Sequence, residues 1–232
     1  MSTKAGSEKA TSNATVETSA QTSRQRLTRS SVVLGAIALA DEHGVAALTM
    51  RNLAERLGYK VMALYNHVSN KDELLTLMAD AVAEEIEEVS PDLQSLEAVR
   101  ALAISTRAAL VRHPWSCELW LQCLPGLARS TQMETLLRML DQSGLPPDLA
   151  HHGFHAVNNH VTGYTLVERG ISNSVGDNPE AVAKKFVDSL PVESFPYTLG
   201  HVKQHMDGDT SSSFELVLDL ILDGLTTLAA ER

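Results

Sequence analysis

The sequence predicts an all-α protein, a small N-terminal three-helix domain followed by a larger helical one. Three observations lead there. Alanine and leucine dominate a chain that is 44% hydrophobic and only 4% aromatic, and Val, Ile, Thr and Tyr form no alternating runs. Apolar residues recur instead at spacings of three and four, which is helical periodicity. Separators rich in glycine and proline divide these runs into helix-sized pieces.

Residues 1–23 hold ten Ser or Thr and almost no large apolar side chain. Such a segment cannot bury enough surface to offset its ordering entropy, so it reads as a disordered arm. Arg24, Arg26 and Arg29 follow, either to touch phosphates or a minor groove or as a solvated basic lead-in. From about Thr28 a first helix places Val32, Ala36, Leu39 and Ala40 on one face, and Gly44 stops it. Thr49 is a natural N-cap for a second helix with Leu53 and Leu57 inward, ended by Gly58. A third helix is predicted over Val61–His67. Asn70 caps a fourth, with Asp72 and Glu73 favourably placed in its first turn and Leu74, Met78, Val82 and Ile86 as its buried stripe.

Pro91 breaks the pattern, which divides the chain into the arm at 1–23, a domain at 24–90 and a domain at 91–232. Further helices are predicted near 95–112, 115–122, 126–143, 148–169, 179–189, 197–206 and 212–230. Their separators include His113-Pro114, Leu124-Pro125-Gly126, Gly144 to Pro147, Gly170 to Pro179, Pro191, Pro196 and Asp207-Gly208-Asp209. No repeat of 20–50 residues is visible, which argues against a solenoid. The last helix is apolar over a broad face: Phe214, Val217, Leu218, Ile221, Leu225 and Leu228, widened by Leu216, Leu220 and Leu222. So wide a face needs two partners, one inside the chain and one across a dimer.

Charge and composition narrow the function. The net charge is −10, yet residues 24–71 hold seven Lys or Arg against three Asp or Glu, while residues 72–232 hold ten against twenty-four. A basic segment on an acidic body suits a phosphate-binding module joined to a domain that does not touch DNA. No apolar run approaches the roughly 20 residues of a membrane span, and no secretory signal is expected. Cys117 and Cys123 read as ordinary residues of a reducing cytoplasm. There is no G-x-G-x-x-G, G-x-S-x-G, P-loop or H-E-x-x-H, so no catalytic residue, cofactor or enzyme activity is predicted.

The informative stretch is Leu48 to Lys71, LTMRNLAERLGYKVMALYNHVSNK. Two short helices joined through a glycine-containing turn have helix-turn-helix spacing, in which the second helix can lie in a major groove. Leu53, Leu57, Leu64 and Val68 lock the pair from inside, while Val61, Met62, Ala63 and Asn66 face outward. Small and flexible outward residues suit close approach to base edges and thymine methyls.

This run, extended to Leu75, resembles the DNA-binding signature of the TetR family, most closely over Ala63 to Leu75. Phe214 to Leu225 resembles the last helix of the subgroup with a tetracycline-repressor-like regulatory domain. The resemblance implies an N-terminal helix-turn-helix three-helix domain plus a helical ligand-binding and dimerisation domain. It implies that Arg51 reads a base, that Thr49, Tyr65, His67 and Lys71 contact phosphates, and that Lys60, Val61, Met62 and Ala63 occupy the specificity positions. Its expected partners are a near-palindromic double-stranded DNA operator, a small-molecule effector and a second copy of the chain. The expected action is repression relieved by the effector through a tilt of the fourth helix, with corepressor dependence or activation as alternatives on the same scaffold.

Weaker signals lie in the second domain. Trp115 and Trp120 suit either an apolar cavity or the core. His151 and His155 stand at i and i+4, a spacing compatible with zinc or nickel, but no acid or cysteine completes a set locally, so no metal is assigned. His155, Asn158 and Asn159 are therefore taken with the two tryptophans as candidate ligand contacts, with a dimer interface as the other reading. The run Glu84 to Glu88 reads as a solvated helix face around Ile86.

Overall fold

Helix ends are set by side chains that satisfy otherwise orphaned backbone groups. The computed structural model describes residues 26–175, 178–206 and 213–232; the expected arm at 1–23, Arg24 and the Asp207-Gly208-Asp209 separator lie outside these. Thr28 accepts the Ser31 N–H at 3.1 Å while Ser31 Oγ accepts the Thr28 N–H at 2.9 Å, a reciprocal cap that starts α1 (Arg29–His43). Val32, Ala36, Leu39 and Ala40 are buried, and Gly44 ends the helix. After a short 3-10 turn, Val45–Ala47, the Thr49 hydroxyl oxygen accepts the Asn52 N–H at 3.1 Å and opens α2 (Met50–Leu57). Gly58 takes φ +72°, so Tyr59 N–H can reach back to Ala54 O at 2.9 Å; only glycine adopts this left-handed conformation without strain.

The third helix is shorter than the periodicity predicts. α3 spans Val61–Leu64, and both His67 and Val68 then donate their N–H to Leu64 O, at 2.9 and 3.1 Å. One carbonyl closes the last turn tightly, which lets the chain swing into α4 (Lys71–Glu84) within a few residues. Asn70 caps α4 by accepting the Glu73 N–H at 2.8 Å, and Leu74, Met78 and Val82 are buried as the stripe requires. Ile86 is buried too, but α4 ends before it, so the run after Glu84 is not the helix face that was expected.

The second domain comprises α5 (Ser95–Arg112), α6 (Ser116–Gln122), α7 (Leu127–Gln142), α8 (Pro147–Val175), α9 (Pro179–Ser189), α10 (Pro196–Met206) and α11 (Ser213–Ala230). No strand occurs among the described residues. α8 is the axis of the domain and packs against α5, α6, α7 and α11, while α4 reaches out of the first domain to touch α5, α6 and α7. A single contiguous core therefore runs through both domains. α8 also outruns its expected end near residue 169. A glycine costs a helix only about 1 kcal/mol, so Gly170 alone does not stop one.

α11 is held by a stacked pair: the His160 and Phe214 rings lie 4.7 Å apart at 13°, and His160 Nε2 is 2.8 Å from Phe214 O. This register buries Phe214, Leu218, Leu222 and Leu225 and turns Val217 and Leu228, expected on the inner stripe, to the surface with Leu216 and Leu220. Arg100 of α5 ties the other flank, 2.7 Å from Asp219 and 2.8 Å from Glu215.

The Arg100 hydrogen bond and charge hold the Asp219 carboxyl below its ordinary value of 3.8. A depressed folded value adds stability above the ordinary value and loses it as the pH falls through the depressed one. Arg100→Met should therefore cost about 1 kcal/mol or less near neutrality, the usual scale for a half-exposed ion pair. Urea unfolding at fixed protein concentration should show the gap from wild type closing as the pH is lowered below 4.

Candidate DNA-reading head and effector cavity

α3 stands at the surface of the first domain on a base of buried Leu53, Leu64 and Val68. Met62 is 73% exposed and Tyr65 41% exposed, whereas Val61 and Ala63 are partly buried against the core beneath them. Leu57, expected inside, is also only partly buried, and a methyl at Gly35 of α1 would meet its side chain at 2.7 Å. Arg51, Lys60 and Lys71 are exposed, His67 is half-buried, and the exposed Thr49 uses its hydroxyl oxygen as a cap while its O–H remains able to donate.

The local positive charge is smaller than a count of basic residues suggests. Arg56 is spent on a two-pronged pair with Glu42 of α1, at 2.7 and 2.5 Å, and Arg29 pairs with Glu73. Arg51, Lys60 and Lys71 form no ion pair among the described residues, which leaves them available to an external anion. The Ser69 backbone N–H, followed by its hydroxyl, holds the Glu73 carboxyl below its ordinary value.

A cavity of about 270 Å³ lies between α5, α7 and α8, with Trp120 of α6 and Pro125 at one end. Leu102, Met133, Leu136, Phe154, Val157 and Val161 supply apolar wall, and Thr106, Gln132, His155, Asn158 and Arg129 supply polar groups. Trp120, His155 and Asn158 thus come together as the sequence suggested. Trp115 does not join them: it is 2% exposed, and its indole N–H donates to Asp41 of α1 at 2.6 Å. Asn159 also lies outside the lining, on the exposed face of α8, because one helical step turns a side chain by about 100°. His151 and His155 meet ring to ring at 4.7 Å on an exposed face, and no group of three or more candidate metal ligands gathers among the described residues.

The residues that join the head to the cavity wall carry little signal in the sequence. Asp80 of α4 accepts N–H groups from Gly126 and Ala128, both at 3.1 Å, and the Arg129 Nε–H at 2.8 Å. The approach is so close that a Cβ at Gly126 would sit 2.2 Å from Asp80 Oδ2. A second joint surrounds His113, whose ring nitrogens lie 2.9 Å from Asp41 of α1 and 3.0 Å from Glu85 beyond α4. The available signal for Arg129 was its position seven and eleven residues before Leu136 and Leu140, a cation on a buried helix face.

A helix-turn-helix head joined by one helix to a cavity-bearing helical domain defines a DNA-binding regulator that responds to a small molecule. Residues 33–78 match the family model described as bacterial regulatory proteins of the tetR family, and residues 91–229 match the tetracyclin repressor-like C-terminal domain. The chain belongs to the TetR family and is a ligand-responsive, DNA-binding transcriptional repressor. Tetracycline repressor protein class D from Escherichia coli is 31% identical over 191 residues, covering 79% of this chain and 82% of that protein. The HTH-type transcriptional repressor DrrR1 from Streptomyces coeruleorubidus is 30% identical, covering 89% and 80%. Among solved structures, apo ActR from Streptomyces coelicolor superposes with a TM-score of 0.75 at 30% identity, over 89% of this chain and 98% of that one. ActR in complex with actinorhodin gives 0.75 at 30%, over 88% and 99%. Members of the family act on DNA operators and small-molecule effectors as dimers and are regulators rather than enzymes. No helix among the described residues is long and apolar enough to cross a membrane.

Two variants separate reading from anchoring. Arg51→Ala should weaken operator binding by about 1–3 kcal/mol and relax one operator position, measured by titrating single-base operator variants. Unchanged affinity would remove Arg51 from base reading. Lys71→Ala should weaken all duplexes alike and reduce the salt slope of log affinity by about one, measured by fluorescence anisotropy from low to high salt. An unaltered slope would contradict a phosphate contact there.

Proposed function

We propose that two copies of this chain bind a near-palindromic operator in the cytoplasm and leave it when a small molecule enters the cavity beneath α7. The observation that carries the reading is the continuity of α4. Its N-terminus, at Asn70 and Lys71, adjoins the reading head, and Asp80 two and a half turns later holds the corner that closes the cavity. A helix gripped at one end by the sensor and at the other by the DNA head transmits a displacement of either.

Dimerisation is supported by the outer face of α11 and the adjacent α8. Leu216, Val217, Leu220, Leu228 and Val167 are exposed there, although the residues on the inner face of α11 are fully packed. A second copy laid on this face would complete a four-helix bundle. It would also present two copies of α3 about 34–36 Å apart, one turn of DNA. In this reading Arg51 contacts base edges, Lys60 to Ala63 set the specificity, and Thr49, Tyr65, His67 and Lys71 contact phosphates and so position the protein on the duplex. Trp120, His155 and Asn158 contact the effector. The binding of actinorhodin by ActR supports a small-molecule effector for this chain without identifying it.

Selection of bound duplexes from a random library by the purified chain, at stated salt, tests the proposal. The expected result is one near-palindrome with half-sites about 10 base pairs apart, centre to centre. Recovery of a single unrepeated half-site would overturn the dimeric reading, and enrichment of no sequence would overturn the operator itself.

A further inference from the structure

We infer that the cavity takes an acidic effector, an apolar molecule with one anionic oxygen group, and that this group acts by drawing Arg129 away from Asp80 of α4. The inference rests on the proposed use of the cavity as the effector site. Among the described residues Arg129 is the only lysine or arginine in the cavity lining, and no Asp or Glu lines it. The guanidinium is nearly out of water, with 3% of the residue exposed, and its Cζ lies 5.8 Å from the Trp120 ring centroid. A guanidinium on a wall of apolar side chains with a few hydroxyl, amide and imidazole groups favours an anion and disfavours a cation.

The bonding of Arg129 defines what such an anion would do. Its Nε–H goes to Asp80 at 2.8 Å, one N–H of Nη1 to Cys123 O at 3.1 Å and one of Nη2 to Leu124 O at 2.5 Å. A guanidinium has five N–H donors, so one remains on each terminal nitrogen, the number a carboxylate takes in a two-pronged pair. Among the described residues Asp80 is the sole acid paired with Arg129, so a second anion shares the same cation and weakens the hold of α4 on it. What remains of the joint is Asp80 with the Gly126 and Ala128 amides, two neutral donors in place of a charged one. Loss of the charged member lets the Pro125 to Arg129 corner and α4 separate. Lys71, about 13 Å farther up the same helix, moves with it.

The probe pair is anthracene-2-carboxylate and anthracene-2-carboxamide, which share a shape and differ in charge. Binding is read by quenching of tryptophan fluorescence, and release by anisotropy of the operator recovered in the library selection. The acid should bind about tenfold or more tightly than the amide and release the operator, the scale of one charge-assisted hydrogen bond. Arg129→Met should bind both probes alike. Asp80→Asn keeps one of the two acceptor oxygens and removes the competing charge: it should bind the acid more tightly than wild type while binding the operator less tightly. Opposite movement of the two affinities is a signature that simple unfolding cannot produce, and it serves if Arg129→Met fails to fold. Equal or better binding of the amide, binding of neither probe, or an acid preference that survives in Arg129→Met would overturn the inference. Failure of the underlying regulator reading shows earlier, as a library selection that enriches no sequence.

Discussion

The carboxylate of Asp80 ties the N-terminal half of this molecule to the wall of its cavity. Asp80 sits on α4, the last helix of the N-terminal domain, and accepts three N–H groups from the corner that closes the cavity. Burying a charge is tolerable only when its partners are complete, and here they are: two amides at the start of α7 and the guanidinium of Arg129. The arrangement dictates its neighbours. Gly126 must lack a side chain for the carboxylate to fit, and Arg129 must lie on the inner face of α7, where it becomes part of the cavity wall.

The rest of the junction has the same logic of few, charged, directional contacts. His113 and Trp115, at the turn between α5 and α6, meet Asp41 of α1 and Glu85 just beyond α4. Apolar packing around α4 is continuous but non-directional, and it tolerates small sliding of helices. Hydrogen-bonded charges do not slide without breaking. The head is therefore fixed to the sensor at two points, one against the cavity and one against the first helix. A ligand that disturbs the first point shifts the balance between two arrangements only by its differential affinity for them.

Much of this was legible from the sequence, for reasons that are local. Thr49, Gly58 and Asn70 announce helix ends because capping depends on neighbours within four residues. The buried stripe of α4 follows from periodicity alone. Elements failed where a local signal was weak or a tertiary contact decided. Gly170 did not stop α8, and the register of α11 was set by stacking of Phe214 on His160, a contact 54 residues away in sequence. The cavity was half legible: Trp120, His155 and Asn158 reach it, but Trp115 is claimed by Asp41 and Asn159 is turned away by one helical step. Asp80 was silent, since its partner Arg129 lies 49 residues away, and Arg129 offered only its register with Leu136 and Leu140.

The claim that head and sensor communicate through Asp80 is tested most directly by amide exchange at Gly126 and Ala128, whose N–H groups that carboxylate holds. Linkage is reciprocal, so a head that is tightened by DNA must tighten the joint. Saturating the full chain with its selected operator should slow exchange at both amides, although they lie in the sensor domain and touch no DNA. Unchanged exchange at both, with the operator demonstrably bound, would contradict the account.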